Sequence, residues 1–105
     1  MRNAILSSRP DAPDVAEEIE AFIVSLAERV DDLQDAEFKG DLESLVRQAH
    51  ELGTAANELG FDLLAASAWE LKRCCLPDSA EQVRETLIDL TEIAKRVRMG
   101  HRGAV

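Results

Sequence analysis

Apolar side chains recur every three or four residues in four segments of this 105-residue sequence, and no other feature constrains the fold as strongly. This spacing gathers apolar side chains on one side of an α-helix, whereas a half-buried strand alternates every second residue. Aromatic residues make up only 4% of the chain, which is unfavourable for sheets. The sequence therefore predicts an all-α protein. The stripes consist of Val15, Ile19, Phe22, Ile23, Leu26, Val30 and Leu33 in the first segment, Leu42, Leu45, Val46, Ala49, Leu52, Ala56 and Leu59 in the second, Leu64, Ala65, Ala68, Leu71 and Cys75 in the third, and Val83, Leu87, Leu90, Ile93, Ala94 and Val97 in the fourth.

Capping residues and glycines predict where the first two helices begin and end. Asp14 is the expected cap of the first helix, with Glu17 at the reciprocal capping-box position, and Gly40 allows the chain to turn afterwards. Asp41 is expected to cap the second helix, and Gly60 stands where a terminating glycine belongs.

The third and fourth helices have similar signals at their ends. Asp62 is expected to cap the third helix, and Pro77 ends it. Asp78 or Ser79 is expected to cap the fourth helix, and Gly100 to stop it.

Short connections between the helices force consecutive helices to run antiparallel. The predicted architecture is therefore an up-down antiparallel four-helix bundle with a short N-terminal lead-in. We expect a single domain over residues 1–105, in which 1–12 form the lead-in and 101–105 a frayed tail. A three-helix bundle with an additional arm is the structural alternative.

The charge and the motifs of the chain restrict its functions. A net charge of −9 repels nucleic acid and anionic membrane surfaces. The N-terminal apolar stretch is too short for a signal peptide, and the adjacent Cys74 and Cys75 cannot join distant segments, so we expect a cytoplasmic protein. The sequence has no metal-ligand spacing, catalytic carboxylate pair or phosphate-binding glycine loop, which predicts no metal site and no autonomous enzyme activity.

One stretch of the second helix, residues 49–60, has features that a bundle does not require. His50 lies about 100° around the helix from the centre of the apolar stripe, at the rim of the buried side. Gly53 lies inside the helix, where it costs about 1 kcal/mol relative to Ala. Close packing or open access to a nearby group explains such a glycine.

This stretch resembles the signature of histidine-containing phosphotransfer (Hpt) domains, in which His-x-Leu-Lys-Gly precedes two small residues, two further positions, an aliphatic residue and Gly. The resemblance covers roughly residues 5–100. It departs at Gly53, where the family has Lys, and at Thr54, where the family has Gly. The glycine has in effect moved by one position, which predicts access to the imidazole from a different side. The matching residues are His50, Leu52, Ala55, Ala56, Leu59 and Gly60.

The resemblance implies a phosphoryl carrier of a two-component phosphorelay, with His50 as phosphoacceptor. A neutral imidazole is a competent nucleophile, and phosphoryl transfer needs mainly positioning and neutralisation of oxygen charge. A hairpin turning near Gly60 places residue 50 level with about residue 70. Lys72 from the third helix, together with Arg47 and Asn57 from the second, is therefore a candidate for stabilising the phosphate.

The resemblance also implies the partners, which are a response-regulator receiver domain, a sensor histidine kinase, or both. The receiver would supply Mg²⁺, so the chain needs no cofactor of its own, and we expect a monomer. Trp69 is interpreted as a core residue that closes one end of the bundle. The candidates for an apolar docking rim are Val46, Ala49, Leu52, Gly53 and Thr54.

Two other functions are compatible with the sequence. In the first, the chain is a degenerate Hpt-fold docking domain in which His50 accepts no phosphate. In the second, it is a dimerising four-helix module, which the long first apolar stripe suggests.

Overall fold

The computed structural model describes residues 13–103, with side chains described for residues 16–100. Its four helices are α1 (Pro13–Lys39), α2 (Leu42–Glu58), α3 (Asp62–Cys74) and α4 (Ala80–Gly103). The all-α prediction is confirmed. The predicted lead-in 1–12 lies outside the described residues, as do residues 104–105 of the predicted tail.

Each helix packs against two neighbours around a ring. Helix α1 lies beside α2 and α4, and α3 lies beside the same two helices, whereas within the described residues the backbones of the diagonal pairs stay further apart. Connections of two, three and five residues join consecutive helices, which makes them antiparallel. The predicted up-down four-helix bundle is confirmed, and the three-helix alternative is wrong.

The predicted apolar stripes meet in one core. Leu26, Leu64 and Leu90 are completely buried, and the rings of Phe22 and Phe61 stack with their centroids 5.6 Å apart. Among the described residues no polar or charged residue falls in the buried class. Burial of apolar surface therefore holds the helices together. No helix in residues 13–103 combines the length and the apolar character that crossing a bilayer requires.

Two glycines make the tight turns at the ends of α1 and α2. Gly40 has φ 71° and Gly60 has φ 85°, in the left-handed region that glycine tolerates best. After each glycine, the next amide donates a hydrogen bond back across the turn, from Asp41 to the Ala36 carbonyl (2.9 Å) and from Phe61 to the Ala56 carbonyl (2.8 Å). Both turns have the Schellman hydrogen-bond pattern, as predicted for helix-terminating glycines.

The predicted caps have mixed outcomes. Asp41 caps α2 as predicted, because its carboxylate accepts hydrogen bonds from the Ser44 amide (3.1 Å) and hydroxyl (2.8 Å).

The prediction that Asp62 caps α3 is wrong. Phe61 occupies the N-cap position without a side-chain hydrogen bond, and Asp62 is the first helical residue. The Phe61 ring is buried in the core, and its packing sets where the helix starts.

Two other helix ends differ from the prediction. Helix α1 begins at Pro13, one residue before Asp14, and proline is favoured at the first helical position. Helix α4 continues through Gly100 to Gly103. A glycine in a helix costs only about 1 kcal/mol, so it does not stop a helix whose backbone hydrogen bonds continue beyond it.

The Asp41 cap predicts a measurable pH dependence of stability. Hydrogen bonds from the Ser44 side chain and backbone lower the pKa of the Asp41 carboxyl. Its stabilising contribution is therefore complete above the ordinary carboxyl pKa of about 3.9, and it is lost as the pH falls through the lower pKa of the folded state. We expect Asp41→Asn to lower the urea midpoint at about pH 6, and we expect this deficit to be smaller at about pH 2.5. An equal difference at both pH values would contradict the role of the carboxylate.

Candidate functional site

His50 lies at the middle of α2, on the side of the bundle formed by α2 and α3. Its neighbour Ala49 is completely buried in the core, and one residue of helical rotation, about 100°, turns the next side chain outwards. The imidazole is accordingly exposed. It borders a shallow depression on the surface together with Trp69, Lys72 and Arg73 from α3.

A cation from α3 contacts the imidazole directly. The Lys72 Nζ atom lies 3.1 Å from the His50 Nδ1 atom. Lysine ammonium has three donors and no acceptor, so Lys72 donates and Nδ1 accepts. The structure thus brings together His50 and Lys72, as the sequence predicted. The residue opposite position 50 is 72, two positions beyond the expected residue 70.

A second contact between α2 and α3 explains the glycine inside α2. The indole of Trp69 lies so close to Gly53 that a Cβ atom built there would overlap the Nε1 and Cδ1 atoms and lie 2.9 Å from Cε2. Gly53 is therefore required for the Trp69 indole to lie in this position against α2. The alternative prediction, that this glycine opens a route to the imidazole, is wrong because the indole covers it.

Trp69 is interpreted from the sequence as a core residue that closes one end of the bundle, and this interpretation is wrong. It remains 41% exposed and is absent from the set of buried apolar residues. With its Nε1 and Cδ1 atoms close to Gly53 and the rest of the ring partly open to solvent, the indole lines the depression beside His50. The sequence prediction missed this role, although the pairing of a helical glycine with a tryptophan across a short hairpin was a usable signal.

The residues of the predicted docking rim differ in exposure, and only some of them lie at the surface. Ala49 and Leu52 are 0% and 1% exposed, so they belong to the core and the prediction that they contact a partner is wrong. Gly53 is buried beneath Trp69. Val46 is half-buried and Thr54 is exposed, so these two can offer surface to a partner.

The other two predicted phosphate-binding residues lie apart from the imidazole. Arg47 is exposed on α2, where its charge acts on Asp41. Asn57 is exposed about 10 Å further along the helix axis than His50. Neither side chain is hydrogen-bonded to His50 within the described part of the chain.

A family model for the Hpt domain matches residues 17–100. The chain belongs to the Hpt domain family. Hpt domains are helical bundles that serve as phosphocarrier modules, and they interact with receiver domains and kinases in phosphorelays. No curated protein and no solved structure is significantly similar to this Hpt domain.

Charged and polar side chains on α3 near the site are mostly engaged with one another. The Arg73 guanidinium pairs with the Glu70 carboxylate, with its Nε atom 3.2 Å from Oε1. This hydrogen-bonded pair raises the pKa of Arg73 and lowers the pKa of Glu70. Burial raises the pKa of the Cys75 thiol, which disfavours the reactive thiolate. Of the two cations that line this depression, Lys72 is therefore the one that pairs with no carboxylate among the residues that the structure describes.

The contact between Gly53 and Trp69 predicts that substitutions at the two positions are coupled. Gly53→Ala should destabilise the wild-type domain because the new methyl group displaces the indole. In a Trp69→Ala background the same change should stabilise by about 1 kcal/mol, since alanine is the better helix former. Urea unfolding followed by circular dichroism gives the four stabilities of this double-mutant cycle.

Fluorescence provides an independent control for this prediction. Trp69 is the only tryptophan of the chain, so Gly53→Ala should shift the emission to longer wavelength as the indole moves into water. Equal stability changes in both backgrounds, with unchanged emission, would contradict the proposed packing.

Proposed function

We propose that this Hpt domain carries a phosphoryl group on His50 between a phosphorelay donor and a receiver domain. Membership of the family associates the chain with phosphorelay phosphotransfer. The observation that best supports His50 as the acceptor is its exposed imidazole, with the Lys72 ammonium 3.1 Å from the ring. A nucleophile and a cation thus lie together on a rigid pair of helices.

The chemistry proposed for His50 is a direct displacement. An imidazole lone pair attacks phosphorus of a receiver phosphoaspartate, the bond from phosphorus to the carboxylate oxygen breaks, and the carboxylate departs with the electron pair. The reverse displacement passes the group to the next aspartate. Phosphoryl transfer depends mainly on positioning and on neutralising the phosphoryl oxygens, and Lys72 serves the second purpose. The receiver supplies Mg²⁺.

The docking surface proposed for the receiver is centred on the exposed indole of Trp69. On α2, Val46 forms an apolar edge of this surface and Thr54 forms a polar edge. Rigid aromatic side chains are favoured anchors of protein interfaces because they bury a large area at low entropic cost. A receiver must cover this face, so we propose that the domain works as a monomer, and in the cytoplasm.

Transfer of label tests the acceptor directly. Incubation with a receiver phosphorylated with ³²P should label the wild-type domain, and the label should survive base and be lost in acid, as expected for a phosphoramidate. His50→Gln should abolish labelling. Substitution of the other histidine, His101→Gln, is the matched control and should leave labelling unchanged. Label that persists in His50→Gln would contradict the proposal.

The second candidate function is receiver docking without phosphate acceptance. It is favoured by the departure from the family signature at Gly53, where the helix accommodates Trp69 and offers no lysine to the phosphate. This function predicts that a receiver binds the domain with the same affinity whether residue 50 is His or Gln, and that no receiver labels it. Labelling at His50 excludes this alternative.

The role of Trp69 in docking is tested by truncation. Trp69→Ala should weaken receiver binding about tenfold or more, as measured by titration calorimetry, because the central aromatic anchor is removed. It should leave the circular dichroism spectrum unchanged, since the indole lies outside the core. Ile88→Ala is the control, because Ile88 is also a large apolar residue and is 62% exposed but lies on α4, away from His50. Equal affinities of the two variants would contradict this docking surface.

A further inference from the structure

The contact between Lys72 and His50 determines which nitrogen of the neutral imidazole carries the proton. An ammonium group can only donate, so the Nδ1 atom 3.1 Å away must present its lone pair. A neutral imidazole has one protonated nitrogen, which must then be Nε2. The resting contact therefore selects the Nε2–H tautomer.

This tautomer is unsuited to attack by the nitrogen that a partner can reach. Nδ1 is directed to Lys72 on α3, and Nε2 lies on the other side of the ring, at its tip. A receiver approaching from solvent therefore meets Nε2. While Lys72 holds Nδ1, the lone pair of the ring is covered by the ammonium, and Nε2 holds a proton in place of a nucleophilic lone pair.

We propose that Lys72 is a positioning residue that keeps His50 unreactive at rest and releases it when a phosphoryl group arrives. This inference rests on the proposed function of His50 as phosphoacceptor. The anionic phosphoryl oxygens attract the ammonium more strongly than a neutral nitrogen does. Lys72 leaves Nδ1 for these oxygens, and the lone pair on Nδ1 becomes available to a proton.

The transfer step begins with a proton exchange at the two ring nitrogens of His50. Solvent water delivers a proton to Nδ1 and removes the proton from Nε2, which converts the ring to the Nδ1–H tautomer. The Nε2 lone pair attacks phosphorus, and the phosphoaspartate carboxylate leaves with the electrons of the broken bond. The positive charge of the phosphorylated ring is relieved by loss of the Nδ1 proton to solvent. Lys72 remains beside the phosphoryl oxygens.

Lys72 thus has two effects of opposite sign. Its hydrogen bond to Nδ1 hinders any electrophile that needs the Nε2 lone pair, and its charge assists only an electrophile that is anionic. A neutral electrophile experiences the hindrance without the assistance. This difference separates the inferred role from a purely electrostatic role in binding phosphate.

The tautomer is measured in the unphosphorylated domain by long-range ¹H–¹⁵N NMR correlation at about pH 8, above the ordinary imidazole pKa of about 6.5. Wild type and Lys72→Arg should both show the Nε2–H form, since arginine is also only a donor. Lys72→Met should show a mixture of both forms. Lys72→Glu should show the Nδ1–H form, because a carboxylate can only accept. Lys72 is exposed, so these variants keep the fold.

Reactivity is measured with two electrophiles. Diethyl pyrocarbonate is neutral and acylates a free imidazole lone pair, and His50→Gln gives the background from His101. We expect its rate at His50 to rise about three- to tenfold from wild type to Lys72→Met, and further in Lys72→Glu. Phosphotransfer from a labelled receiver should follow the reverse order, with wild type fastest.

The outcomes separate the two proposals. The predicted tautomers together with opposite rate orders support the inference. The same tautomer in wild type and Lys72→Glu, or acylation and phosphotransfer rates that fall together, would overturn it while labelling of wild type upholds the phosphoacceptor. A wild-type domain that shows the predicted tautomers but accepts no phosphate would instead overturn the proposed function.

Discussion

The seating of the Trp69 indole on the bare backbone of Gly53 is the contact on which the arrangement around His50 depends. Only a residue without Cβ admits the indole at this position, so the contact favours the observed register of α2 against α3. Three positions further from the turn on each helix, His50 then meets Lys72. Gly53, which departs from the family signature, and Lys72 on α3 therefore belong to the same contact between α2 and α3. The lysine beside the histidine therefore comes from the neighbouring helix, whereas the family signature has a lysine on the histidine's own helix.

Much of the fold follows from short-range rules that are visible in the sequence. Burial repeats with the period of the helix, so the apolar stripes predict four helices and most of their buried residues. Gly40 and Gly60 predict the two turns because few other residues adopt their positive φ angles. The short connections then leave one arrangement of the helices. Even the proximity of Lys72 to His50 follows from counting outward from the Gly60 turn, with an error of two residues.

The errors arise where a tertiary contact decides between local alternatives. Asp62 is a good capping residue, but burial of the Phe61 ring moves the helix start by one position. Ala49 and Leu52 lie on the apolar stripe and were also assigned to a docking rim, yet a side chain cannot serve both. The position of Trp69 was missed because the apolar pattern of α3 gives only the direction of its side chains. Whether an indole fits against α2 depends on the missing Cβ of Gly53, which lies on the other helix.

The up-down topology has a consequence for sequences joined to this domain. Helix α1 begins, and α4 ends, at the end of the bundle that holds the Gly60 turn. Both helices also lie on the far side of the core from the surface that α2 and α3 present. A segment joined to the described residues at Pro13 or Gly103 therefore attaches on the side of the bundle away from the imidazole and its lysine. His50 and Lys72 lie on two helices that follow each other in the sequence, so neither end of the described chain takes part in holding them together.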